Sequence, residues 1–417
     1  MSAKDTRAAI LVFERIVSDS AGSGDDFRDG THRIRTPDET LVEYIDVASR
    51  VGVTRIADLT GLDALGVPVF SAVRPLSRSL VVSMGKGITG AAAKTSAMME
   101  SLETWHAEWV RPSGQPAAYK DLLAAGEPVV DAPALPCYPE MPFREDEVCS
   151  WVQGVDLFTG DSVWVPWEAV SLDLSQGDPV RTGLLRGSNG LASGNTLTEA
   201  VLHAACEVIE RDAETLWRAD SEYRRVRRST VRDANCRRLL EQFSDAGLDV
   251  AVWDITSDTC IPAYGCTLIP REVERFWRPV GVHDGYGCHP SPGIALARAL
   301  TEAAQTRMAY ISGSRDDLLP ETLSASCDPE FVAQAATELA GIDETEGFAD
   351  EPAPCSLLQE VGMVLAALSR AGARQVVMVD LTIPDLGVPV VKILVPGFEG
   401  PAGEAALGTR AALGGRA

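Results

Sequence analysis

Acidic side chains recur at helical spacing in the segment 193–214, which reads SGNTLTEAVLHAACEVIERDAE. At about 100° per residue, Glu199, Glu207 and Glu210 fall within an arc of roughly 80° on one side of a helix. Most of the remaining positions are apolar, and a helix that is apolar nearly all round is buried. Buried carboxylates are unfavourable unless they are paired or bind a cation, and Arg211 alone cannot neutralise this set. The segment therefore predicts a site that recruits cations.

A second segment, 90–110, repeats this pattern in the sequence GAAAKTSAMMESLETWHAEWV. On a helix, Ser96, Glu100 and Glu103 lie within about 60° of one another. Methionine, leucine and tryptophan side chains occupy most of the other positions. We therefore expect a second buried helix with acidic side chains on one face.

A third segment, 293–310, reads GIALARALTEAAQTRMAY. Arg298, Glu302 and Gln305 share one helical face, whereas Arg307 lies well off that face. Three such helices predict hard cations held by oxygen ligands, most simply Mg²⁺ that carries nucleotide phosphates. The alternative that stays open is that each stripe is the solvated face of a surface helix.

The composition narrows the functional classes. The chain has 417 residues, a formal net charge of −23 and a pI of about 4.6, whereas nucleic acids and anionic membranes are bound by basic faces. Neither is an expected partner, and no apolar run reaches membrane-spanning length. The nine cysteines are scattered, odd in number and without a C-x-x-C pair. With no signal peptide, this indicates reduced thiols and a cytoplasmic protein.

The hydrophobic patterns predict an α/β fold in which helices are layered on mixed sheets. We expect strands over 53–58, 67–74 and 79–84, a hairpin over 151–170, and a helix that begins near Thr36.

The C-terminal half contains an internal repeat. Residues 239–256, followed by IPAYGCTLIP, match residues 364–382, followed by VPVVKILVP. Both segments read as a helix, an Ala-Gly stop, a strand, Asp-x-Thr, a turn and a proline-containing strand. Two such units predict a layered α/β architecture with internal pseudo-symmetry.

At this length we expect one large domain with subdomains, or two domains. The predicted organisation is a partly flexible N-terminal segment 1–70, a main domain 71–400 with a proline-rich excursion 111–150 and an acidic loop 314–354, and a flexible tail 401–417.

The stretch 85–90 satisfies G-x-G-x-x-G between a predicted strand and a predicted helix. By itself this is a weak dinucleotide fingerprint. Glu100 and Glu103 point inward on the helix that follows, and no second strand with a ribose-binding acid comes next. Both observations argue against a Rossmann site, and the absence of G-x-x-x-x-G-K-[ST] excludes a P-loop.

Other short patterns are weaker still. Ser83 and Lys86 match S-x-x-K, but the companion motifs of serine acylases are missing. Cys288 and His289 are adjacent and point in different directions, so a buried structural pair is preferred to a nucleophile or a metal site. His203 lies on the acidic stripe, where it is interpreted as a hydrogen-bonding neighbour of the carboxylates rather than a base.

Three longer motifs resemble a known family. They are Gly85-Lys86-Gly87 with Ser96-x-x-x-Glu100-x-x-Glu103, then Asn189-Gly190-Leu191-Ala192-Ser193-Gly194-Asn195 running into Glu199-(x)7-Glu207-x-x-Glu210-Arg211, and Gly285-Tyr286-Gly287-x-His289-Pro290-x-Pro292 running into Glu302-x-x-Gln305-x-Arg307. In this order they are similar to the YcaO family over roughly residues 70–400.

The resemblance implies an ATP-binding α/β fold in which glutamates hold the nucleotide through Mg²⁺, and a homodimer. The family's first motif often ends in Glu-Arg, whereas Thr104 follows here, so one local ion pair is expected to be missing. The implied metal ligands are Glu100, Glu103, Glu199, Glu207, Glu210 and Glu302. The implied contacts to nucleotide, metal or neighbouring ligands are Lys86, Ser96, Asn195, Arg211, Gln305 and Arg307. No catalytic residue is assigned.

The resemblance also implies the chemistry. Family members use ATP to phosphorylate the oxygen of a backbone amide in a ribosomally made peptide, and a nucleophile attacks the amide carbon. A Cys, Ser or Thr side chain gives an azoline, a sulfide source gives a thioamide, and an amine gives an amidine.

The subtype stays open at this point. The proline-rich tail of many azoline-forming members is absent, so the ending is more similar to members that act beside a TfuA-type partner in thioamide formation, or to stand-alone members. A factor that modifies a ribosomal protein and a non-catalytic peptide-binding scaffold are the alternatives.

Overall fold

The computed structural model describes residues 26–175, 182–220, 223–271, 280–315, 327–353 and 355–412. The α-helices within these ranges are α1 Pro37–Arg50, α2 Gly90–Trp109, α3 Tyr119–Ala124, α4 Leu197–Ala219, α5 Ala234–Asp245, α6 Pro292–Ser312, α7 Pro329–Ala340, α8 Leu357–Arg370 and α9 Thr409–Ala412. Among them, no helix has both the length and the apolar character that crossing a bilayer requires.

The strands are short and mostly antiparallel. They are β1 Arg55–Asp58, β2 Val69–Val73, β3 Val82–Lys86, β4 Ala117–Ala118, β5 Val148–Cys149, β6 Trp151–Asp156, β7 Ser162–Pro166, β8 Leu191–Ser193, β9 Arg225–Val226, β10 Leu248–Asp254, β11 Ala263–Pro270, β12 His283–Cys288, β13 Glu344–Glu346, β14 Val377–Asp380 and β15 Val390–Leu394.

Three main sheets result. The three-stranded sheet has the order β1-β2-β3, the β10 sheet has the order β12-β11-β10-β9-β13, and the β14 sheet has the order β7-β6-β14-β15-β8. The pairs are antiparallel except β9 with β13. A small fourth sheet pairs β4 with β5. The predicted α/β class with layered helices on mixed sheets is confirmed.

Side-chain caps explain where the principal helices begin. Thr36 and Glu39 form a capping box at the start of α1. Thr89, Thr196 and Ser291 each accept a backbone N–H from the first turn of α2, α4 and α6, respectively. The three acidic segments therefore form the three long helices that their sequences predict.

Each acidic helix lies between a different pair of sheets. Helix α2 contacts β2 and β3 of the three-stranded sheet and β8 of the β14 sheet. Helix α4 contacts β8 and β15 of the β14 sheet and β11 and β12 of the β10 sheet, and α6 contacts β11 and β12 of the β10 sheet and β2 and β3 of the three-stranded sheet. This arrangement brings the three helices together at the centre.

The internal repeat is visible as α5-β10-β11 and α8-β14-β15. In both units the two strands pair antiparallel, although the units belong to different sheets. Gly247 and Gly372 follow the helices with φ of 82° and 91°, a left-handed conformation that glycine adopts without steric penalty. The predicted helix, glycine stop and strand pair are therefore confirmed in both copies.

The described parts of the chain ends are tied to the main domain. Residues 1–25, which belong to the predicted N-terminal segment 1–70, and residues 413–417 lie outside the described ranges. Near the C-terminus, Arg410 pairs with Asp212 of α4 at 2.9 Å and with Asp258 at 2.5 Å. In the predicted acidic loop, residues 327–353 include α7.

Candidate functional site

Paired glycines let the helices that carry the carboxylates approach the sheets closely. A Cβ on Gly85 in β3 would lie 2.0 Å from the backbone nitrogen of Ala97 in α2, and one on Gly287 in β12 would lie 2.1 Å from the carbonyl oxygen of Ala295 in α6. Backbone atoms cannot move aside for a methyl group at this distance. The G-x-G stretches are therefore close-packing positions. Since β3 is antiparallel to β2, no Rossmann unit is present here.

Arg211 connects two of the acidic helices. Its guanidinium contacts Glu210 at 2.9 Å and Glu214 at 3.0 Å within α4, and Glu302 of α6 at 3.3 Å. Lys86 at the end of β3 also forms an ion pair with Glu302. Residues that are far apart in the sequence thus form one charged cluster.

The two carboxylates of α2 are protonated more readily than an ordinary glutamate. Burial and the neighbouring Glu103 raise the pKa of Glu100 to about 7. Burial raises the pKa of Glu103 to about 7 as well, although Glu103 accepts hydrogen bonds from the backbone and the hydroxyl of Ser193 at 2.8 and 2.7 Å. Without an added cation, both groups are therefore poorly compensated.

The two central carboxylates of α4 behave in the same way. Burial raises the pKa of Glu207 to about 8, and the charges of Glu210 and Glu103 add to this rise. Burial also raises the pKa of Glu210, and Arg211 opposes the effect. Nearby cations oppose these rises without cancelling them; they are Arg211, Lys392, Lys86 and Arg298. The protein's own cations therefore leave both carboxylates undercompensated, as the sequence predicts.

Glu302 differs from these four. Burial alone would raise its pKa, but Lys86 and Arg211 more than offset that and lower it to about 2. Glu302 is therefore ionised in the structure, with two protein cations as its partners. Any further cation at this carboxylate would compete with them.

Glu199 is buried at the start of α4 and saturated by protein donors. It accepts hydrogen bonds from the backbone N–H of Ile34 at 2.6 Å, from Arg33 at 3.3 Å, and from the backbone and side-chain nitrogens of Asn195 at 2.9 and 3.1 Å. Arg33 also contacts the ring of His203 at 3.3 Å. The segment that precedes α1 therefore covers this end of the acidic face, a contact for which the sequence carried no signal.

The remaining residues that were predicted to contact the nucleotide lie at different distances from the carboxylate cluster. Ser96 is half-buried on α2, and Gln305 donates to the carbonyl oxygen of Met84 in β3 at 3.2 Å. Arg307 is buried and pairs with Asp63 at 2.7 Å. The structure thus brings Gln305 near the strand that carries Lys86, whereas it engages Arg307 with Asp63, away from the carboxylate cluster.

Cys288 and His289 are both buried, as a structural pair predicts. His289 accepts the backbone N–H of Ser291 at 3.0 Å and lies 3.8 Å from Glu360. Glu360 also contacts His32 at 2.8 Å. These contacts join the chain segment before α1 to α8 and to the start of α6.

Within the described ranges, no group of three or more His, Cys, Asp or Glu side chains converges closely enough to enclose a metal ion. Mg²⁺ does not need such a cage, because it keeps several waters and takes one or two carboxylates together with substrate phosphates. Glu210 is buried, and Glu100, Glu103 and Glu207 are half-buried. The Glu100–Glu103 and Glu207–Glu210 pairs, whose pKa values are raised, fit that role. The residues present are therefore suitable for Mg²⁺ that carries a nucleotide.

A cavity of about 230 Å³ adjoins the cluster at Glu207 and Arg211. Its other walls come from β15, the loop before β8 and the segment after β15. Lys392 of β15 lines it and is buried. Neither this lysine nor Arg33 was among the sequence-predicted site residues, because both lie on segments without the helical acidic pattern.

Comparisons with known proteins identify the family of this chain. Residues 84–399 match the family model described as YcaO cyclodehydratase, ATP- and Mg²⁺-binding. A protein in the tfuA 3′ region of Rhizobium leguminosarum bv. trifolii is 35% identical over 407 residues, which is 94% of each chain. A protein of Methanothermobacter thermautotrophicus is 32% identical over 380 residues, or 87% of this chain and 94% of that one.

This chain belongs to the YcaO family. ATP and Mg²⁺ are accordingly its cofactors, and it is an ATP-dependent enzyme. Of its predicted metal ligands, the two on α2 and the central pair on α4 have raised pKa values, whereas that of Glu302 is lowered.

Solved structures confirm the YcaO fold. The structure of YcaO from Methanopyrus kandleri bound with AMPPCP and Mg²⁺ matches with a TM-score of 0.67 at 24% identity, over 89% of this chain and 93% of that one. A heterocyclase in complex with substrate and cofactor matches with a TM-score of 0.74 at 22% identity, over 97% of this chain. This YcaO chain spans 57% of that heterocyclase.

Proposed function

We propose that this YcaO protein uses ATP and Mg²⁺ to phosphorylate the oxygen of a backbone amide in a ribosomally synthesised precursor peptide. A nucleophile then replaces that oxygen and gives a thioamide, an azoline or an amidine. The observation that supports this proposal is the set of buried and half-buried carboxylates with raised pKa values on α2 and α4, beside a cavity. ATP supplies the phosphoryl group that turns the amide oxygen into a leaving group, and Mg²⁺ offsets the phosphate charge.

The residues of the chain divide this work. Glu100, Glu103, Glu207 and Glu210 hold the metal-bound phosphates. Glu199 positions the start of α4 through its contacts with Arg33, Ile34 and Asn195. Lys86 and Arg211, the two cations that pair with Glu302, face the same cluster and are placed to offset phosphate charge.

A thioamide is the product that we favour. The relative from the tfuA 3′ region covers nearly the whole chain, which supports a TfuA-like partner and exogenous sulfide as the nucleophile. Azoline formation is the alternative within the same chemistry. The homodimer and the cytoplasmic location implied by the sequence stay predictions.

Two other functions are compatible with the same fold. A ribosomal protein could replace the natural-product precursor as the substrate, with the same chemistry. A non-catalytic peptide-binding scaffold would not need the carboxylate set, so the retention of Glu100, Glu103, Glu207 and Glu210 favours an enzyme.

Mass spectrometry of a co-expressed candidate peptide tests the proposal. Replacement of one oxygen by sulfur identifies a thioamide, and loss of one water identifies an azoline. The experiment is run with and without the TfuA-like protein, and the matched control is Glu210→Gln, which should leave the peptide unmodified. An unmodified peptide with every candidate and partner, together with no nucleotide turnover, would contradict the proposal.

A further inference from the structure

Two cations, Arg211 and Lys392, line the cavity beside the carboxylate cluster, and the proposed nucleotide site gives no role to Lys392. The cavity is bounded by Glu207 and Arg211 of α4, Lys392 of β15, Asn189 and Phe398. Since a single water occupies about 30 Å³ in the liquid, a volume of about 230 Å³ exceeds the need of one small ion. The cavity therefore has room for a short piece of peptide as well.

Lys392 is the unusual residue of this lining. It lies on β15, between β14 and β8, and is 4% exposed. Its ammonium donates a hydrogen bond to the carbonyl oxygen of Gly187 at 2.6 Å. Among the described residues no carboxylate forms an ion pair with it, and an ammonium group has three N–H donors. Lys392 therefore retains donors for another ligand.

Two other charged groups of the lining already have partners. Arg211 is shared by Glu210, Glu214 and Glu302. Glu399 accepts backbone N–H groups from Gly408 at 2.6 Å and Ala411 at 2.8 Å. Glu404 is exposed at the rim.

Glu207 interacts with Lys392 electrostatically without forming a salt bridge. In the proposed function, Glu207 would instead hold metal-bound phosphate. Lys392 then keeps its charge only if another anion replaces Glu207 as its electrostatic partner. A buried charge is unfavourable unless it is paired. The loaded site consequently favours an anion at this position.

We propose that this cavity binds the attacking sulfur nucleophile as an anion, with the Lys392 ammonium as its counter-ion. The inference rests on the proposed function and deepens it. The anionic sulfur can come from free hydrosulfide or from the thiolate of a cysteine in the peptide itself. Neutral hydroxyl and amine nucleophiles would gain little from the lysine.

The chemistry balances without an oxidant or a reductant. The sulfur anion forms a bond to the amide carbon, and the carbonyl electron pair moves to the oxygen, which takes the terminal phosphoryl group of ATP and releases ADP. The carbon–oxygen bond then breaks and phosphate leaves. With hydrosulfide, the S–H proton goes to phosphate as C=S forms. With a cysteine thiolate, the amide N–H proton does so as C=N forms.

Anion binding can be measured directly on the full-length protein. Crystals grown with Mg²⁺ and AMPPCP are soaked in sodium bromide, a monovalent anion similar in size to hydrosulfide. We expect an anomalous peak beside Lys392 in the wild type, in Lys392→Arg and in the exposed control Lys120→Met, and no peak in Lys392→Met. A wild-type cavity without bromide, or a peak retained in Lys392→Met, would overturn the proposal.

Kinetics with a modified peptide separate the two sulfur sources. If hydrosulfide is the nucleophile, Lys392→Met should raise the KM for sulfide about ten- to a hundredfold, the effect of one lost charge-assisted hydrogen bond. If a cysteine thiolate is the nucleophile, kcat/KM should fall by a similar factor for the cysteine peptide but not for its serine counterpart. Equal increases in KM for ATP and for the sulfur substrate would contradict the assignment.

Calorimetry with Mg²⁺ and AMPPCP distinguishes a failure of this inference from a failure of the proposed function. We expect Lys392→Met to bind the nucleotide as the wild type does. If the wild type itself binds no nucleotide, the proposed function fails. If both proteins bind nucleotide and bromide equally, the proposed function stands and the role of Lys392 is wrong.

Discussion

At the scale of single residues, the site is defined by carboxylates whose environment disfavours their charge. Burial raises the pKa of Glu100 and Glu103 to about 7 and that of Glu207 to about 8. By contrast, the pKa of Glu302 is lowered because Lys86 and Arg211 contact it. This difference in pKa distinguishes the carboxylates that lack sufficient cationic partners from Glu302, which already has two.

Glu100 gives a pH prediction for the metal-free protein. Its pKa rises from 4.5 to about 7 on folding, so the folded state holds the proton more tightly than the unfolded state between these values. The contribution of Glu100 to the free energy of unfolding should therefore fall as the pH rises from about 4.5 to about 7, and then stay constant. We expect Glu100→Gln to gain stability relative to the wild type across this window.

Urea denaturation of both proteins in EDTA, at intervals of pH, measures this difference. The exposed Glu241→Gln is the matched control and should follow the wild type. A stability difference between Glu100→Gln and the wild type that does not change with pH would mean that folding does not raise the pKa of Glu100.

At the scale of elements, strand glycines set the distance between sheets and acidic helices. A Cβ added to Gly85 or Gly287 would lie 2.0 or 2.1 Å, respectively, from a backbone atom of the facing helix. A Cβ added to Gly90 would have no heavy atom within 4 Å. The G-x-G pattern thus places Glu100 and Glu302 through packing. A strand residue with any side chain would push the helix away.

Alanine substitutions test this packing role. Gly85→Ala and Gly287→Ala should each lower the free energy of unfolding by about 1–3 kcal/mol or more and weaken nucleotide binding, because the helix must shift. Gly90→Ala, at the first position of α2, should be neutral or slightly stabilising. Thermal unfolding and calorimetry with Mg²⁺ and AMPPCP provide the measurements, and equal effects at all three positions would contradict the argument.

At the scale of the whole molecule, α2, α4 and α6 each lie between two of the three main sheets. A ligand held by α2 and α4 therefore links the three-stranded sheet, the β14 sheet and the β10 sheet. Binding to the folded state alone raises stability in proportion to the logarithm of ligand concentration over Kd. The nucleotide site is thus coupled to the stability of the whole fold.

This coupling predicts a thermal shift. At about a hundredfold excess over Kd, Mg²⁺ with AMPPCP should stabilise the protein by about 2.7 kcal/mol and raise Tm by about 3 °C. EDTA should remove the shift, and Glu210→Gln should not show it. A shift that persists in EDTA would indicate nucleotide binding without the metal-binding carboxylates.

Much of the local structure was determined by the sequence. Local signals act over a few neighbouring positions. They include helix caps such as Thr36 and Thr196, the alternation of apolar residues, and the glycines that end helices at Gly247 and Gly372. For that reason the three long helices, the hairpin and the repeated helix–strand–strand unit could be predicted. The acidic stripes also followed from the sequence, because helical periodicity alone places their residues on one face.

The sequence could not determine contacts between distant segments. Arg33 reaches Glu199 across a separation of 166 residues, Arg307 is drawn to Asp63 rather than to the cluster, and Lys392 enters the cavity from a strand without any acidic pattern. Such contacts depend on how the three sheets stack, and therefore on the tertiary structure. Local periodicity fixes which face a side chain occupies, whereas only the packed sheets decide which other charges that face meets.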